Sequence, residues 1–148
     1  MYVAESKRLT NEGAKRMMTT AIDAARYAGI AVTVAITDGG GHLIMLERME
    51  GGRFHTVHSA TTKAVCAASN KRPTSAKGAQ AQPLDAAHAL GLALAAGPER
   101  WTAIEGGCPV IVAGECIGGI GVAGGDWETD ERIARVAVES IGASWRVD

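Results

Sequence analysis

The sequence feature that most constrains the fold is a glycine-rich stretch in the last third of the chain, Ile117-Gly118-Gly119-Ile120-Gly121-Val122-Ala123-Gly124-Gly125. Its apolar residues predict a strand over residues 116–123, yet glycine inside a strand often marks a close approach by another backbone. The chain has 19 glycines and only 4% aromatic residues. We therefore expect a core built from small side chains and closely approaching backbones.

The same stretch contains a match to G-x-G-x-x-G, from Gly119 to Gly124. That pattern indicates dinucleotide binding when its glycines lie between a strand and the following helix of a βαβ unit. Here two of the glycines lie within the predicted strand, and the chain has no Walker A sequence. We therefore interpret these glycines as packing positions and predict no nucleotide site.

Hydrophobic periodicity predicts the order α-β-β-α-α-β-β-β-α along a single domain that covers residues 1–148. Helices are predicted over residues 9–28, 54–69, 83–96 and 128–141, and strands over residues 30–37, 43–49, 101–104, 109–113 and 116–123. Two turn signals, at residues 38–41 and 114–115, predict hairpins. Since hairpins join antiparallel strands, the sequence predicts an α+β fold with a single antiparallel five-stranded sheet flanked by helices.

Charge and composition exclude several functional classes. The formal net charge is −1, and the absence of a basic run argues against nucleic-acid binding. No apolar run approaches the ~20 residues of a membrane-spanning helix, and the first residues lack a signal-peptide core, which predicts a cytoplasmic protein. The three cysteines, Cys66, Cys108 and Cys116, are widely spaced, so we expect neither a disulfide framework nor a zinc or redox motif.

Two histidines with H-x-x-H spacing, His55 and His58, lie near the start of the second predicted helix. A zinc ion would need further ligands, which His88, Glu105 or the cysteines could supply only at spacings that are not diagnostic. We therefore predict no metal site. The simpler interpretation places both histidines at the rim of a pocket.

A short loop, Glu105-Gly106-Gly107-Cys108-Pro109, is the most promising place for chemistry. Paired glycines can present backbone N–H groups to a ligand or an oxyanion, and Gly124-Gly125 could present a second pair. Glu105 is the candidate acid or base, whereas Cys108 would need a nearby base and a lowered pKa to act as a nucleophile. The alternative is an ordinary strand connection with a solvated glutamate.

Three isolated cationic residues, Arg48, Lys63 and Arg72, are candidates for binding the carboxylate of a small organic acid. Arginine suits this role because its guanidinium can hold a carboxylate with two hydrogen bonds. Most such charges are simply solvated, so the pattern alone does not separate the two interpretations.

The order and spacing of several segments resemble the GlcG/HbpS-like family, described as a haem-degrading or haem-binding domain and found as the C-terminal domain of PduO-type proteins. The resemblance runs from Leu9 to Gly142, and its matching segments are residues 32–43, 48–51, 62–64, 71–74, 106–110 and 117–125, followed by Asp130. It implies an antiparallel sheet flanked by helices, and assembly into dimers or larger homo-oligomers. Known members include haem binders, partners of corrinoid enzymes and proteins associated with glycolate or aromatic catabolism.

One departure from the family pattern bears on function. Members often have an aromatic residue and a proline before the Gly-Gly pair, where this chain has Ile104 and Glu105. The change adds a carboxylate and removes a ring against which a flat macrocycle could lie. It therefore weakens the expectation of haem binding.

Two main hypotheses follow. The first is a small catabolic enzyme without a cofactor that hydrolyses or isomerises a carboxylated small molecule, with Glu105 as acid or base, His58 or His55 as partner base, and backbone N–H groups stabilising negative charge. The second is a haem- or corrinoid-binding carrier or sensor without turnover, with a histidine as axial ligand. A third possibility is an assembly partner for enzymes of the same operon. The sequence favours the first by a small margin.

Overall fold

The computed structural model describes residues 1–147, which form four helices and four strands. In chain order the elements are α1 (Asn11–Tyr27), β1 (Thr33–Asp38), β2 (Leu43–Arg48), α2 (Thr56–Asn70), α3 (Ala86–Ala96), β3 (Gly107–Val112), β4 (Glu115–Ala123) and α4 (Trp127–Glu139). The strands form one sheet in the order β2-β1-β4-β3, and every neighbouring pair is antiparallel. The α+β class is thus as predicted.

The predicted fifth strand, over residues 101–104, is wrong, and the sheet has four strands. This segment is part of the loop between α3 and β3, where the Ile104 N–H donates to Thr102 Oγ1 at 3.1 Å. A strand needs a neighbouring backbone with which its N–H and C=O groups can form hydrogen bonds. On β3, Ile111 exchanges two hydrogen bonds of 2.8 Å with Ser144 instead of with residues 101–104. The side chains of residues 101–104 line a cleft instead.

The two faces of the sheet carry different side chains, as the two-residue period of a strand requires. One face packs against α1 and α4 and contributes the larger side chains of the main core: Val34, Ile36, Cys108, Val110, Ile120 and Val122. The other face packs against α2 and contributes a small cluster that includes Ala35 and Ala123. The sheet therefore lies between one helix and a pair of helices.

Helix α2 lies in backbone contact with β4, which confirms the predicted close approach. A Cβ atom on Gly121 would overlap the carbonyl oxygen of Ala60 and lie 2.7 Å from the Ala64 nitrogen. A Cβ atom on Gly119 would overlap the carbonyl oxygen of Ala64. Glycine is therefore a steric requirement at both positions, and it brings the side chains of α2 close to the end of β4.

Local signals explain most helix ends. Thr10 caps α1 by accepting a hydrogen bond from the Gly13 N–H at 3.1 Å, and Asp126 caps α4 through the Thr129 N–H at 2.8 Å. Helix α3 starts at Ala86 because Asp85 is its N-cap, three residues after the start predicted at Pro83. That helix is apolar, yet none of its residues is buried.

Candidate functional site

A cleft of about 630 Å³ lies between α2, α3, the loop before β3 and the junction of β4 with α4. Its walls are mainly apolar, and the larger side chains among them are Leu90, Trp101, Ile104 and Trp127. Three buried polar residues also line it, namely Thr62, Lys63 and Asp130. Wide apolar walls with a few polar groups are typical of a small-molecule site.

The polar end of the cleft is organised by an ion pair between α2 and α4. Lys63 and Asp130 are only 6% and 3% exposed, and Lys63 Nζ lies 3.5 Å from Asp130 Oδ2. Lys63 Nζ also donates to the Val122 carbonyl oxygen at 2.7 Å, and Asp130 Oδ1 accepts from the Gly125 N–H at 2.8 Å. The pair therefore connects α2, β4 and α4 where β4 ends.

Burial changes the acid–base properties of both partners. Desolvation lowers the pKa of Lys63, and the nearby carboxylates of Asp130 and Glu105 oppose this only in part. Desolvation likewise raises the pKa of Asp130 against the opposing effect of Lys63. Both shifts favour the uncharged forms, as expected where a low local polarity penalises charge.

Thr62 Oγ1 is a buried polar atom with no hydrogen-bond partner in the described residues 1–147. Thr62 directly precedes Lys63 in α2, and both residues line the cleft. Because buried hydroxyl groups are nearly always hydrogen-bonded, an unpaired one in a cleft indicates a place where a ligand atom could bind.

The backbone N–H groups predicted to stabilise negative charge are largely engaged within the protein. The Gly107 N–H donates to Thr74 Oγ1 at 2.9 Å, and the Gly125 N–H donates to Asp130. Gly106 has a φ of 119°, and a Cβ atom there would lie 2.8 Å from Lys63 Nζ, so this glycine leaves space for the ammonium group. Gly124 lines the cleft, and its carbonyl oxygen accepts from Arg53 at 3.5 Å.

The predicted acid–base residues occupy different places. His58 is exposed and lines the cleft. His55 precedes α2, and its ring packs edge-on against the Phe54 ring with the two ring centroids 6.0 Å apart. Glu105 is half-buried and close enough to Lys63 to act on its pKa, but like His55 it is not among the residues that line the cleft. Within residues 1–147 neither Glu105 nor His58 makes a side-chain hydrogen bond, so the predicted pair is not preformed.

Three other predicted site residues lie away from the cleft. Arg48 is exposed on β2, at the edge of the sheet, and Arg72 donates to the carbonyl oxygens of Lys77, Gly78 and Ala79. Cys108 is fully buried in the main core, where burial raises the pKa of its thiol to about 12. At neutral pH it is therefore a protonated thiol and a weak nucleophile.

Sequence reasoning identified Lys63 as a site residue, named Thr62 and Asp130 only as positions of the family resemblance, and missed the two tryptophans of the cleft wall. Lys63 and Asp130 are 67 positions apart in the sequence. Asp130 lies in the first turn of α4, where an acidic residue is already explained by the helix dipole and so gives no sign of a site. The tryptophans carried no periodic signal. Only the packing of α2 on β4 brings these residues together.

Two further properties concern metals and membranes. In the part of the chain that the structure describes, residues 1–147, no three His, Cys, Asp or Glu side chains are grouped so that they could hold a metal ion. No helix of those residues has both the length and the apolar character that a membrane span requires.

The fold defines a small α+β domain with a cleft, in which a four-stranded antiparallel sheet carries one helix on one face and two on the other. The family model described as "Haem degrading protein HbpS-like" matches residues 9–139. The chain therefore belongs to the HbpS-like family, as the sequence resemblance indicated.

Three relatives illustrate the match. Protein GlcG of Escherichia coli K12 is 31% identical over 77% of this chain and 80% of its own length. A double mutant of HbpS from Streptomyces reticuli is 31% identical, covers 95% of this chain and 91% of its own, and superposes with a TM-score of 0.78. The chain of the PduOC:heme complex is 23% identical, and the match covers 95% of this chain and 100% of that one. Its TM-score of 0.82 shows a common fold.

Proposed function

We propose that this protein is a haem-binding module and that the cleft between α2 and α3 is its haem site. The single observation that carries the proposal is the exposed His58 imidazole at a cleft with broad apolar walls. Membership of a family described as haem degrading supports it, as does the similarity to HbpS. These findings favour the carrier or sensor hypothesis over the hydrolase or isomerase hypothesis.

The residues present fit the group. Leu90, Trp101, Ile104 and Trp127 offer apolar surface for a macrocycle, so the tryptophans compensate for the aromatic residue missing at Ile104. His58 would hold the group through an imidazole nitrogen, and histidine is a common ligand of haem iron. When bound, haem would supply redox or gas-binding chemistry, while the chain's apolar walls limit the access of water.

The cofactor-free enzyme hypothesis has weaker support from the site. It requires free backbone N–H donors beside Glu105, and those of Gly107 and Gly125 already donate to Thr74 and Asp130. It also requires a base close to Glu105, and His58 forms no hydrogen bond with that carboxylate in the described residues 1–147.

Hemin titration tests the proposal. We expect wild-type protein to bind hemin at one per chain with a shifted Soret band, and His58→Ala to lower the affinity by about tenfold or more, since at metal centres the loss of a residue that only orients a ligand already costs about that much. His55→Ala is the matched control, because His55 lies three residues away and does not line the cleft. Equal titrations for wild type and His58→Ala would refute His58 as ligand, and no stoichiometric binding would refute the function.

We also propose that α3 forms a contact with a second copy of the chain. Leu92 and Leu94 are 40% and 66% exposed and lie outside the lining of the cleft, and an isolated helix of this length is marginal in water. Helix α3 has no Asp, Glu, Lys or Arg to repel its copy.

The oligomeric state checks this contact. Leu94→Glu is expected to shift the protein toward the monomer in sedimentation velocity, because a charge buried at an apolar interface is costly. Tyr27→Glu is the control, since Tyr27 is also highly exposed but lies at the end of α1. A wild-type monomer at high concentration, or an unchanged oligomer in Leu94→Glu, would contradict the proposal.

A further inference from the structure

We propose that Lys63 captures a neutral aldehyde or ketone in the cleft by forming an imine with it. The inference concerns the polar end of the cleft and does not rest on haem binding. Lys63 Nζ has hydrogen-bond partners for two of its three protons, Val122 O and Asp130 Oδ2. The Lys63 side chain is almost entirely buried, yet it lines the cleft.

The charges around Lys63 select a neutral ligand. The charged groups close enough to act on its pKa are the carboxylates of Asp130 and Glu105, so this end of the cleft carries a net negative charge when all three are ionised. The other titratable lining residue is His58, at the exposed rim. A carboxylate ligand would be repelled by Asp130 in the lining and by Glu105, which lies outside the lining but acts on Lys63, whereas a neutral carbonyl would not be.

The unpaired hydroxyl of Thr62 supplies a second, independent indication of a ligand. It is buried, lacks a partner in the described residues and lies beside Lys63 in the lining. A hydroxyl can donate to a carbonyl oxygen. Thr62 therefore adds an unpaired hydroxyl donor to the part of the lining that also holds the Lys63 nucleophile.

The chemistry balances within the pair. Transfer of one proton within the ion pair, from Lys63 to Asp130, gives a neutral amine and a protonated acid, and burial favours these uncharged forms. The amine nitrogen bonds to the carbonyl carbon while Asp130 gives its proton to the oxygen, and the nitrogen then returns a proton to Asp130. Asp130 protonates the hydroxyl of the resulting carbinolamine, which leaves as water. The products are a protonated imine on Lys63 and the Asp130 carboxylate.

Reductive trapping tests the inference on the unmodified chain. The protein is treated at pH 7 with benzaldehyde and sodium cyanoborohydride, and the modified lysines are mapped by peptide mass spectrometry. Burial favours the neutral amine of Lys63, which is the form that attacks a carbonyl, so we expect Lys63 to be benzylated several-fold faster than the exposed Lys15 and Lys71. Modification of the exposed lysines with Lys63 unmodified would overturn the proposal.

Two contrasts separate capture from general reactivity. We expect 4-carboxybenzaldehyde, which has the same ring and an added charge, to lose the preference for Lys63. Asp130→Asn is expected to slow trapping at Lys63 at least about tenfold by removing the proton carrier, whereas Lys15→Arg should not change it. Equal rates at Lys63 with both aldehydes, or in Asp130→Asn, would contradict the proposed site.

The result is distinguishable from that of hemin titration. His58→Ala should lose hemin binding but retain trapping at Lys63 if both proposals hold. Trapping at Lys63 in a wild-type protein that binds no hemin would refute the haem proposal alone. Hemin binding without trapping at Lys63 would refute the carbonyl proposal alone.

Discussion

Gly121→Ala is expected to destabilise the folded chain by about 4 kcal/mol or more, a loss at the extreme of single substitutions. The added methyl group would overlap the carbonyl oxygen of Ala60 and approach the Ala64 nitrogen to 2.7 Å. Neither obstacle is a flexible side chain, so α2 must move away from β4 as a whole. The loss is measured from urea unfolding curves followed by circular dichroism.

Gly91→Ala is the control for this substitution. Gly91 lies within α3, and nothing lies within 4 Å of the position that its Cβ would occupy. Because alanine favours helix over glycine by up to about 1 kcal/mol, we expect unchanged or slightly increased stability. A typical point substitution costs about 1 kcal/mol. A loss below that value for Gly121→Ala would mean that α2 moves away from the sheet at little cost, and it would contradict a steric requirement for glycine at this position.

Lys63→Met is expected to cost about 3–5 kcal/mol, because it leaves the Asp130 carboxylate buried without its cation. The methionine side chain is of similar length, so the cost arises mainly from the unpaired charge. The double variant Lys63→Met/Asp130→Asn should recover most of the loss, since an amide oxygen can still accept from the Gly125 N–H. Unfolding free energies of the three proteins at pH 7 measure the coupling.

The pH dependence of the single variant gives a second check. Burial raises the pKa of Asp130 above its unfolded value of 3.8, so the folded state binds the proton more tightly than the unfolded state does. Stability therefore increases as the pH falls through the folded pKa toward 3.8. We expect the deficit of Lys63→Met, relative to the double variant, to shrink over that interval. A deficit that stayed constant down to the unfolded pKa would contradict a buried carboxylate as its source.

In the wild type, Lys63 contributes at the alkaline end. Burial lowers its pKa below 10.5, so the unfolded state binds more protons between the folded pKa and 10.5. This contribution makes stability rise with pH in that window. The raised pKa of Cys108 acts in the opposite direction above its unfolded value of 9.0, so the two contributions are separated only by comparing variants of each residue.

Much of the fold could be predicted because its signals are local. Alternating apolar residues predicted β1 and its antiparallel partner, and the Asp38 turn forms because Asp38 Oδ1 accepts from the Gly40 and His42 N–H groups at 2.9 and 3.0 Å. The strand predicted over residues 101–104 failed for the opposite reason. Its pattern is compatible with a strand, but a strand exists only where a neighbouring backbone is available to pair with it.

The candidate site was predictable only in part. Four of the predicted site residues line the cleft, namely His58, Lys63, Gly124 and Gly125. Other predicted residues have a local task that the sequence does not reveal, such as Arg72, which binds the carbonyl oxygens of a neighbouring loop. Whether a charged side chain faces a ligand or its own backbone depends on contacts between distant segments.

The sequence by itself determined that one strand must lie against another backbone, because the glycines of β4 leave no side chain to hold a neighbour away. Only the tertiary structure decided that this neighbour is α2, and that α2 therefore brings Lys63 within 3.5 Å of Asp130. The physical reason is that glycine specifies the permitted distance but not the partner. The partner is chosen by the packing of all elements together, and the buried ion pair at the cleft is a consequence of that packing.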